Sequence, residues 1–406
     1  VTVDPGPRSP LVARRAAEGP PRTLPRAARI AIAAIGTFLA ARLVTSVFVL
    51  WLTTQTGAGS EAGVAPSFAT LSSVWDGRWY GRIAMHGYPV HLPVDAHGQV
   101  QQNAWAFLPA YPYLTRAVAA VSGGSWPIAA VIVSIGFGTG AAVLLGILLA
   151  PHVGGRAALF AVALFSCSPV SFILQMAYAE SMMACLLFGA LCLLDRRRYA
   201  LAIPVVVIAS FTRPGVLAFA LACLLHIVQN RRVLARSRAA AASAAALLLT
   251  GCAGGLVWPG IVAAVTGDPA AYFKTESAWR TLWTGRGGFD LFEPWLFAAQ
   301  QVFGIAGIAV LGTVIGAGVY FLARPAARLG FTSRVWIGSY GLYLLAVFMP
   351  QTSLPRLLIP MAPALGAFRV PSRRITIVVV LAASTALQLL WLWCTYGPVK
   401  SYLTVP

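Results

Sequence analysis

From residue 30 to residue 396 the chain alternates long apolar runs with short polar gaps. An apolar run of about 20 residues crosses a hydrocarbon core of about 30 Å as a helix, whereas a barrel needs short alternating strands, which are absent here. The pattern therefore predicts an all-α, polytopic integral membrane protein of about 11 transmembrane helices. The predicted spans cover 30–53, 127–150, 157–173, 178–194, 199–212, 214–229, 239–266, 294–322, 335–349, 355–368 and 374–396. Several of these are short and broken by proline, notably within 199–229 and 335–368. A helix of about 14 residues reaches only about 21 Å, so such pieces are expected to line a cavity enclosed by protein.

Residues 107–121 are apolar enough to suggest a twelfth span, but the segment is short and holds Pro109, Pro112 and Arg116. Phe107, Tyr111, Leu114 and Val118 follow the spacing of one apolar helix face, which predicts an amphipathic helix lying at the membrane surface. Residues 54–126 then form one long external loop carrying two interfacial helices, at about 73–86 and 107–121. A connection of that length is commonly functional. A second external loop is expected at 267–293, mixed in charge and aromatic, with Tyr272, Phe273, Glu276, Trp279, Arg280, Trp283, Arg286 and Asp290. It has two readings: a solvated loop, or a cover that recognises an acceptor.

Composition supports the membrane reading, with 58% hydrophobic and 10% charged residues. The formal charge of +19 raises nucleic acid as a partner, but no basic recognition helix, zinc spacing or aromatic RNA-binding motif accompanies it. The charge lies in the gaps, as in Arg196, Arg197 and Arg198, or Arg231, Arg232, Arg236 and Arg238. In the eleven-span arrangement about twenty Lys and Arg fall on the side of the N-terminus and about nine on the other. That bias predicts a cytoplasmic N-terminus and an external C-terminus. Residues 1–29 are expected to be a basic, disordered cytoplasmic tail ahead of the first span rather than a cleaved leader, and residues 397–406 an external tail. The six cysteines all lie in apolar runs, a placement that predicts neither disulfides nor structural zinc.

Acidic residues are scarce, eleven against thirty Lys and Arg, which makes Asp76 in VWDGRWYGRIAMHGYP conspicuous. The topology brings it to the same face as Tyr178, Glu180 and Ser181 in AYAES, Thr212 and Arg213 in FTRPG, and Gln351, Ser353 and Arg356 in PQTSLPR. Ionisable groups at membrane depth are costly and mark sites. Asp76 has two readings, a general base or a cap on the helix that follows it. Trp75, Trp79 and Tyr80 are interfacial anchors or surfaces for a substrate. Arg82 either snorkels to headgroups or binds an anion, and Arg213 and Arg356 either bind an anion or satisfy the broken helix ends. His86 is a ligand or base, or merely the residue packed beside Gly87 where its helix ends.

These motifs, in the order WDGRWYGRIAMHGYP, AFLP, AYAESMM and FTRPG, resemble the GPI mannosyltransferase 2 (PIG-V) family over residues 70–220. The resemblance implies a GT-C fold and transfer of a sugar from a polyprenyl-phosphate donor on the non-cytoplasmic side of the membrane. By position it matches Asp76 to the family's first-loop acid, residues 102–109 to the segment before its aromatic-proline stretch, and Glu180 to the acid of its SES-like motif. The chain departs from the family at QQNAWAFLP, where members often carry a His-rich lead. Its Ala- and Arg-rich composition looks like that of a bacterium, so the expected setting is a bacterial plasma membrane and the expected acceptor a glycolipid, lipoglycan or other cell-envelope glycan.

The chemistry so implied is an inverting α-mannosyl transfer with Asp76 as general base. Arg213, Arg356, Arg82 and Arg78 are candidates for the donor phosphate, because forked guanidinium hydrogen bonds suit phosphate oxygens. Trp75, Trp79, Tyr80, His86, Gln102, Asn103, Tyr178, Glu180, Ser181 and Gln351 are candidates for binding substrate. No metal site is predicted: a divalent cation is possible in this class, yet the first loop has a lone acid and no paired acids to chelate one. Another polyprenyl-phosphate sugar, arabinose or glucose, is the alternative within the class. A lipid or solute transporter or flippase is the alternative outside it, although transporters usually show internal repeats and a midplane site.

Overall fold

The computed structural model describes residues 24–57, 60–284 and 290–397, so most of the tails expected at 1–29 and 397–406, and the position of Arg286, fall outside the described residues. The described chain is almost wholly helical. It begins with α1 (Arg26–Gln55), and the first loop carries α2 (Phe68–Ser72), α3 (Asp76–His86) and α4 (Ala110–Ser122). The central helices follow: α5 (Trp126–Val153), α6 (Gly155–Cys167), α7 (Glu180–Asp195), α8 (Tyr199–Ser210), α9 (Val216–Leu234) and α10 (Arg238–Thr266). The remainder comprises α11 (Ala271–Thr284), α12 (Glu293–Phe303), α13 (Gly307–Ala323), α14 (Phe331–Val347), the one-turn α15 (Leu354–Leu357) and α16 (Arg374–Tyr396).

Six stretches are individually long and apolar enough to cross a bilayer: α1, α5, α9, α10, the α12–α13 unit and α16. The 28 residues of α5 make it about 42 Å long, and it packs on α1, α4, α6 and α7 at the centre of the protein. Close approach of α1 to α5 depends on Gly138, where an added Cβ would stand 2.5 Å from the Phe38 ring. Small residues at such crossings let backbones draw together where apolar burial alone gives no driving force.

Three expected spans are not continuous α-helices, and one of them, 294–322, is divided by a 3₁₀ turn at Gly304–Ala306 into α12 and α13. Within 157–173, α6 stops at Cys167 because Pro169 lacks an amide donor and biases Ser168 towards extended backbone, where it sits at ψ 153°. A 3₁₀ turn, Ser171–Gln175, follows. The expected span 355–368 resolves into α15 and a 3₁₀ segment, Ile359–Ala367, because Pro355, Pro360 and Pro363 remove α-helical donors at close intervals. The first-loop helices expected at about 73–86 and 107–121 are present as α3 and α4. The chain turns into α3 at Trp75, and α4 is docked on α5, where the Tyr111 hydroxyl donates to the carbonyl of Ala130 at 3.0 Å.

The basic gaps gather at one end. His152 at the close of α5 meets Asp195 at the close of α7 at 3.1 Å, and Gly330, ahead of α14, lies against the His152 ring. Arg26 reaches the carbonyl of Ala150 at that same end. The exposed Arg196, Arg197 and Arg198 are there too. The first loop and the junction between α8 and α9 lie at the opposite end, where the backbone amide of Ala110 bonds to the carbonyl of Phe211 at 2.8 Å.

The broken end of α6 is satisfied from two other helices. Arg42 of α1, only 2% exposed, donates to the carbonyl of Ser166 at 2.6 Å, to the Ser171 hydroxyl at 2.9 Å and to the Ser171 carbonyl. Gln388 of α16 donates to the carbonyl of Ser168 at 2.9 Å and accepts from Thr45 at 2.7 Å. Interrupted helices survive at membrane depth when protein groups take up the freed carbonyls, as here. Replacing Arg42 with Leu is expected to lower stability by about 1–2 kcal/mol, since the Ser171 carbonyl loses the guanidinium and the Ser166 carbonyl keeps only the Ser171 hydroxyl, at 2.7 Å. Thermal unfolding of the purified protein in detergent checks this, and an unchanged midpoint would refute it.

Candidate functional site

Four helix ends at the first-loop end of the protein deliver charge to one place. The chain enters α3 through Trp75 at φ 58° and ψ −120°, a strained conformation for a residue with a side chain, and no side chain caps the helix. Asp76, its first residue, is thus not engaged as a cap. Glu180 opens α7, just after Ala177 is tied to the first loop through the carbonyl of Ser72 at 2.9 Å. Arg213 stands in the break between α8 and α9, where Pro214 and Gly215, at φ 124°, end one helix and begin the next. Arg356 projects from α15, whose single turn is set by Pro355 near its start.

The four side chains form a ring of alternating charge. Arg356 Nη1 is 2.7 Å from Asp76 Oδ2 and 3.6 Å from Glu180 Oε1. Arg213 Nη1 is 2.9 Å from Glu180 Oε1 and 3.8 Å from Asp76 Oδ2. The Arg356 guanidinium also lies 5.5 Å from the centre of the buried Tyr178 ring. Both carboxylates are buried, and the formal charges of the ring sum to zero. Charges so far from water persist only when each has a partner, and removing one partner commonly costs about 3–5 kcal/mol.

The ring borders a cavity of about 870 Å³, within the range of small-molecule sites. Trp75, Trp79, Tyr80, Gln102 and Gln351 line the same space, as do Arg78 and Arg82. Arg78 is paired with Glu61 at 3.2 Å in an exposed position, so it belongs to the rim. Arg82 packs over the Trp79 ring at 4.7 Å. Tyr80 of α3 is buried against Phe107 and Tyr111, and desolvation raises its phenol above the ordinary tyrosine value.

Four candidates from the sequence do not line the cavity. His86 is exposed at the far end of α3, ten residues after Asp76 and therefore about 15 Å along the helix. Asn103 is buried and bonds to Thr275 at 3.0 Å, which fastens the first loop to α11. Ser181 gives its hydroxyl to the carbonyl of Leu174 at 2.8 Å. Tyr178 lies behind Arg356 rather than beside the open space.

Several cavity residues carried no site signal beyond their place in a mixed loop. Tyr272, Glu276, Trp279 and Arg280 of α11 line it, and so do Tyr340 and Tyr343 of α14. Trp79 and Phe107 stack at 5.8 Å, and Trp279 meets both edge-on at 5.7 Å. Arg280 donates to the carbonyl of Val347 at 2.5 Å, tying α11 to the end of α14. Burial pushes the Glu276 carboxyl above its usual range, opposed by Arg280 and by a hydrogen bond with Tyr272. Lys274 and Asp268 instead pair with each other at 2.7 Å on the outside. The spacing of 272, 276, 279 and 280 on one helical face was the available signal.

Among the described residues no three His, Cys, Asp or Glu converge as a metal site. Asp76 and Glu180 are the paired acids nearest to that role, and both are held by arginines.

No family model matches the chain, and no curated protein matches it in sequence. Solved structures match it in fold. The apo structure of ArnT from Cupriavidus metallidurans superposes with a TM-score of 0.51 at 17% identity, and ArnT bound to undecaprenyl phosphate with 0.50 at 15%. The chain shares the GT-C membrane fold of ArnT. Each match covers 89% of this chain but only 65% of ArnT, so the chain spans about two thirds of that protein's length.

The ring should behave as one energetic unit. A double-mutant cycle on Asp76→Asn and Arg356→Met is expected to give a coupling of about 1–3 kcal/mol in thermal or denaturant unfolding. Additive effects of the two substitutions would show that the 2.7 Å contact carries no stability.

Proposed function

We propose that the chain is an inverting glycosyltransferase that moves a sugar, mannose, from a polyprenyl phosphate to a hydroxyl of a cell-envelope acceptor. One observation carries the reading: a buried ring of two carboxylates and two guanidiniums opens on a ligand-sized cavity within a GT-C fold. ArnT is a glycosyltransferase whose structure has been solved with undecaprenyl phosphate, which supports a lipid-phosphate donor here. The same likeness favours an enzyme over a transporter. Mannose is taken from the motif resemblance to the PIG-V family.

In the proposed step Asp76 takes the proton of the acceptor hydroxyl as that oxygen bonds to the anomeric carbon. The bond from that carbon to the phosphate oxygen breaks, and its electron pair leaves with the polyprenyl phosphate. Attack opposite the leaving group turns a β-linked donor into an α-linked product. Arg213 and Arg356 hold the departing phosphate through charge-assisted hydrogen bonds. Their present partners are Asp76 and Glu180, so donor binding draws the guanidiniums towards phosphate and loosens the hold of Arg356 on Asp76. The base is thus freed only when a donor is in place. Glu180, the less exposed carboxylate, keeps Arg213 in position.

The proposed orientation puts the N-terminus in the cytoplasm and the site at the external face of a bacterial plasma membrane. It is supported by the gathering of basic gaps at the end away from the ring, the end expected to stay inside. Cysteines placed at Ser60 and Arg197 should then be labelled by a membrane-impermeant reagent from opposite sides.

Purified protein given radiolabelled polyprenyl-phosphate mannose and a membrane-lipid extract should transfer label, and Asp76→Asn should transfer at least about 100-fold more slowly. An Asn variant as fast as wild type would remove Asp76 as the base. Transfer of arabinose or glucose but not mannose would correct the sugar and leave the class standing.

A further inference from the structure

The proposed reaction uses the ring of charges and leaves the other side of the cavity without a role. That side is α11. The helix starts five residues after Thr266, the last residue of α10, and Gly267 at φ 71° closes that span, so α11 belongs to the loop at the membrane face and not to a span. It is fastened at two points, to the first loop through Thr275 and Asn103 and to α14 through Arg280 and the carbonyl of Val347. A helix held in this way presents a fixed surface.

That surface pairs carboxylate with aromatic rings. Glu276 lies one turn from Tyr272 and one turn from Arg280, and all three line the cavity. Trp279, on the same face, closes a cluster with Trp79 and Phe107. Its indole N–H is buried without a hydrogen-bond partner, and so is that of Trp75, another lining residue. Both indoles therefore carry an unmet donor beside the cavity, a local desolvation cost.

A carboxylate offers two acceptor oxygens and no donor, so it complements a group with two adjacent hydroxyls. Flat aromatic faces cover the apolar C–H surface between such hydroxyls. A sugar ring has all of these features. A simple serine hydroxyl has neither a diol nor an apolar face, and a phosphate would be repelled by Glu276. The donor's prenyl chain reaches the site from the bilayer, whereas α11 faces the loop side, so the molecule that meets it comes from outside the membrane.

Resting on the function proposed above, we propose that Glu276 and Trp279 form the acceptor subsite, and that the acceptor presents a sugar with a vicinal diol to the ring of charges. Glu276 accepts hydrogen bonds from the diol, Trp279 covers the ring, and Asp76 receives the proton of the hydroxyl that reacts. The desolvated Glu276 carboxyl gains partners when the hydroxyls arrive.

The test uses the full chain in lipid nanodiscs, with methyl α-mannopyranoside and methyl α-glucopyranoside as probes followed by saturation-transfer NMR. Undecaprenyl-phosphate binding is measured in parallel. Wild type should bind at least one glycoside saturably, and Glu276→Gln and Trp279→Leu should each weaken it at least tenfold. Undecaprenyl phosphate should bind both variants within twofold of wild type, which also shows that they are folded. Glycoside binding should persist with undecaprenyl-phosphate mannose at saturation; displacement would put the sugar in the donor's position and overturn the acceptor assignment. Equal binding by wild type and both variants would overturn the subsite, as would no glycoside binding by a wild type that binds undecaprenyl phosphate. Glycoside binding that depends on Glu276 in a protein that ignores undecaprenyl phosphate would keep the subsite and count against the donor reading. Failure of both ligands to bind wild type would overturn both.

Discussion

The buried ring of Asp76, Arg356, Glu180 and Arg213 joins four parts of the chain that have little else in common. Asp76 comes from the first loop, Glu180 from the start of α7, Arg213 from the break between α8 and α9, and Arg356 from a single turn of helix. None of the four charges is affordable alone at this depth, because desolvation of an unpaired ion outweighs what packing can return. The position of each segment is therefore tied to the other three. Lines of apolar contact set how α1, α5, α6 and α7 stack, but the ring sets where the first loop meets that stack.

Each charge sits where a helix begins or breaks, and the reason is geometric. A continuous helix crossing the membrane spends its backbone groups on itself and directs its side chains sideways. An interruption frees a short stretch that can turn a side chain along the axis of the bundle. Pro214 and Gly215 do this for Arg213, Pro355 for Arg356, and the strained Trp75 for Asp76. Arg42 shows the same physics with a different result. Its guanidinium meets carbonyls released by the end of α6, dipoles rather than ions, and it seals a break instead of opening a site.

Much of this was legible in the sequence because membrane proteins punish misplaced charge. A scarce acid between two tryptophans, an acid opening a span and two arginines beside prolines could be picked out as residues, and the sidedness of the arginine clusters brought them to one face. Helix type at 355–368 was harder, because apolarity reports burial in lipid or protein and is silent on whether successive prolines permit an α-helix. Asn103 and Ser181 look like site residues by motif but serve the backbone and a neighbouring helix, a use that any short polar side chain can take. Glu276 was hidden for the opposite reason. In a loop with Asp268, Lys274 and Arg280, one more charge is unremarkable until the fold turns it inward and leaves Asp268 and Lys274 outside.

The neutrality of the ring bears on how an anion would be received. A site of free arginines would attract any phosphate in its surroundings, whereas here each guanidinium already has a carboxylate, at 2.7 Å for Arg356 and 2.9 Å for Arg213. An incoming phosphate must compete with those pairs, so charge alone gives it little advantage, and for the proposed donor the fit of a prenyl chain and sugar would supply the rest. Arg82, outside the ring of charges, lines the same cavity and covers Trp79. That position lets it screen the extra negative charge without disturbing the ring. Selectivity for a lipid-linked sugar over free phosphate would then follow from the cost of exchanging partners inside a buried, balanced cluster.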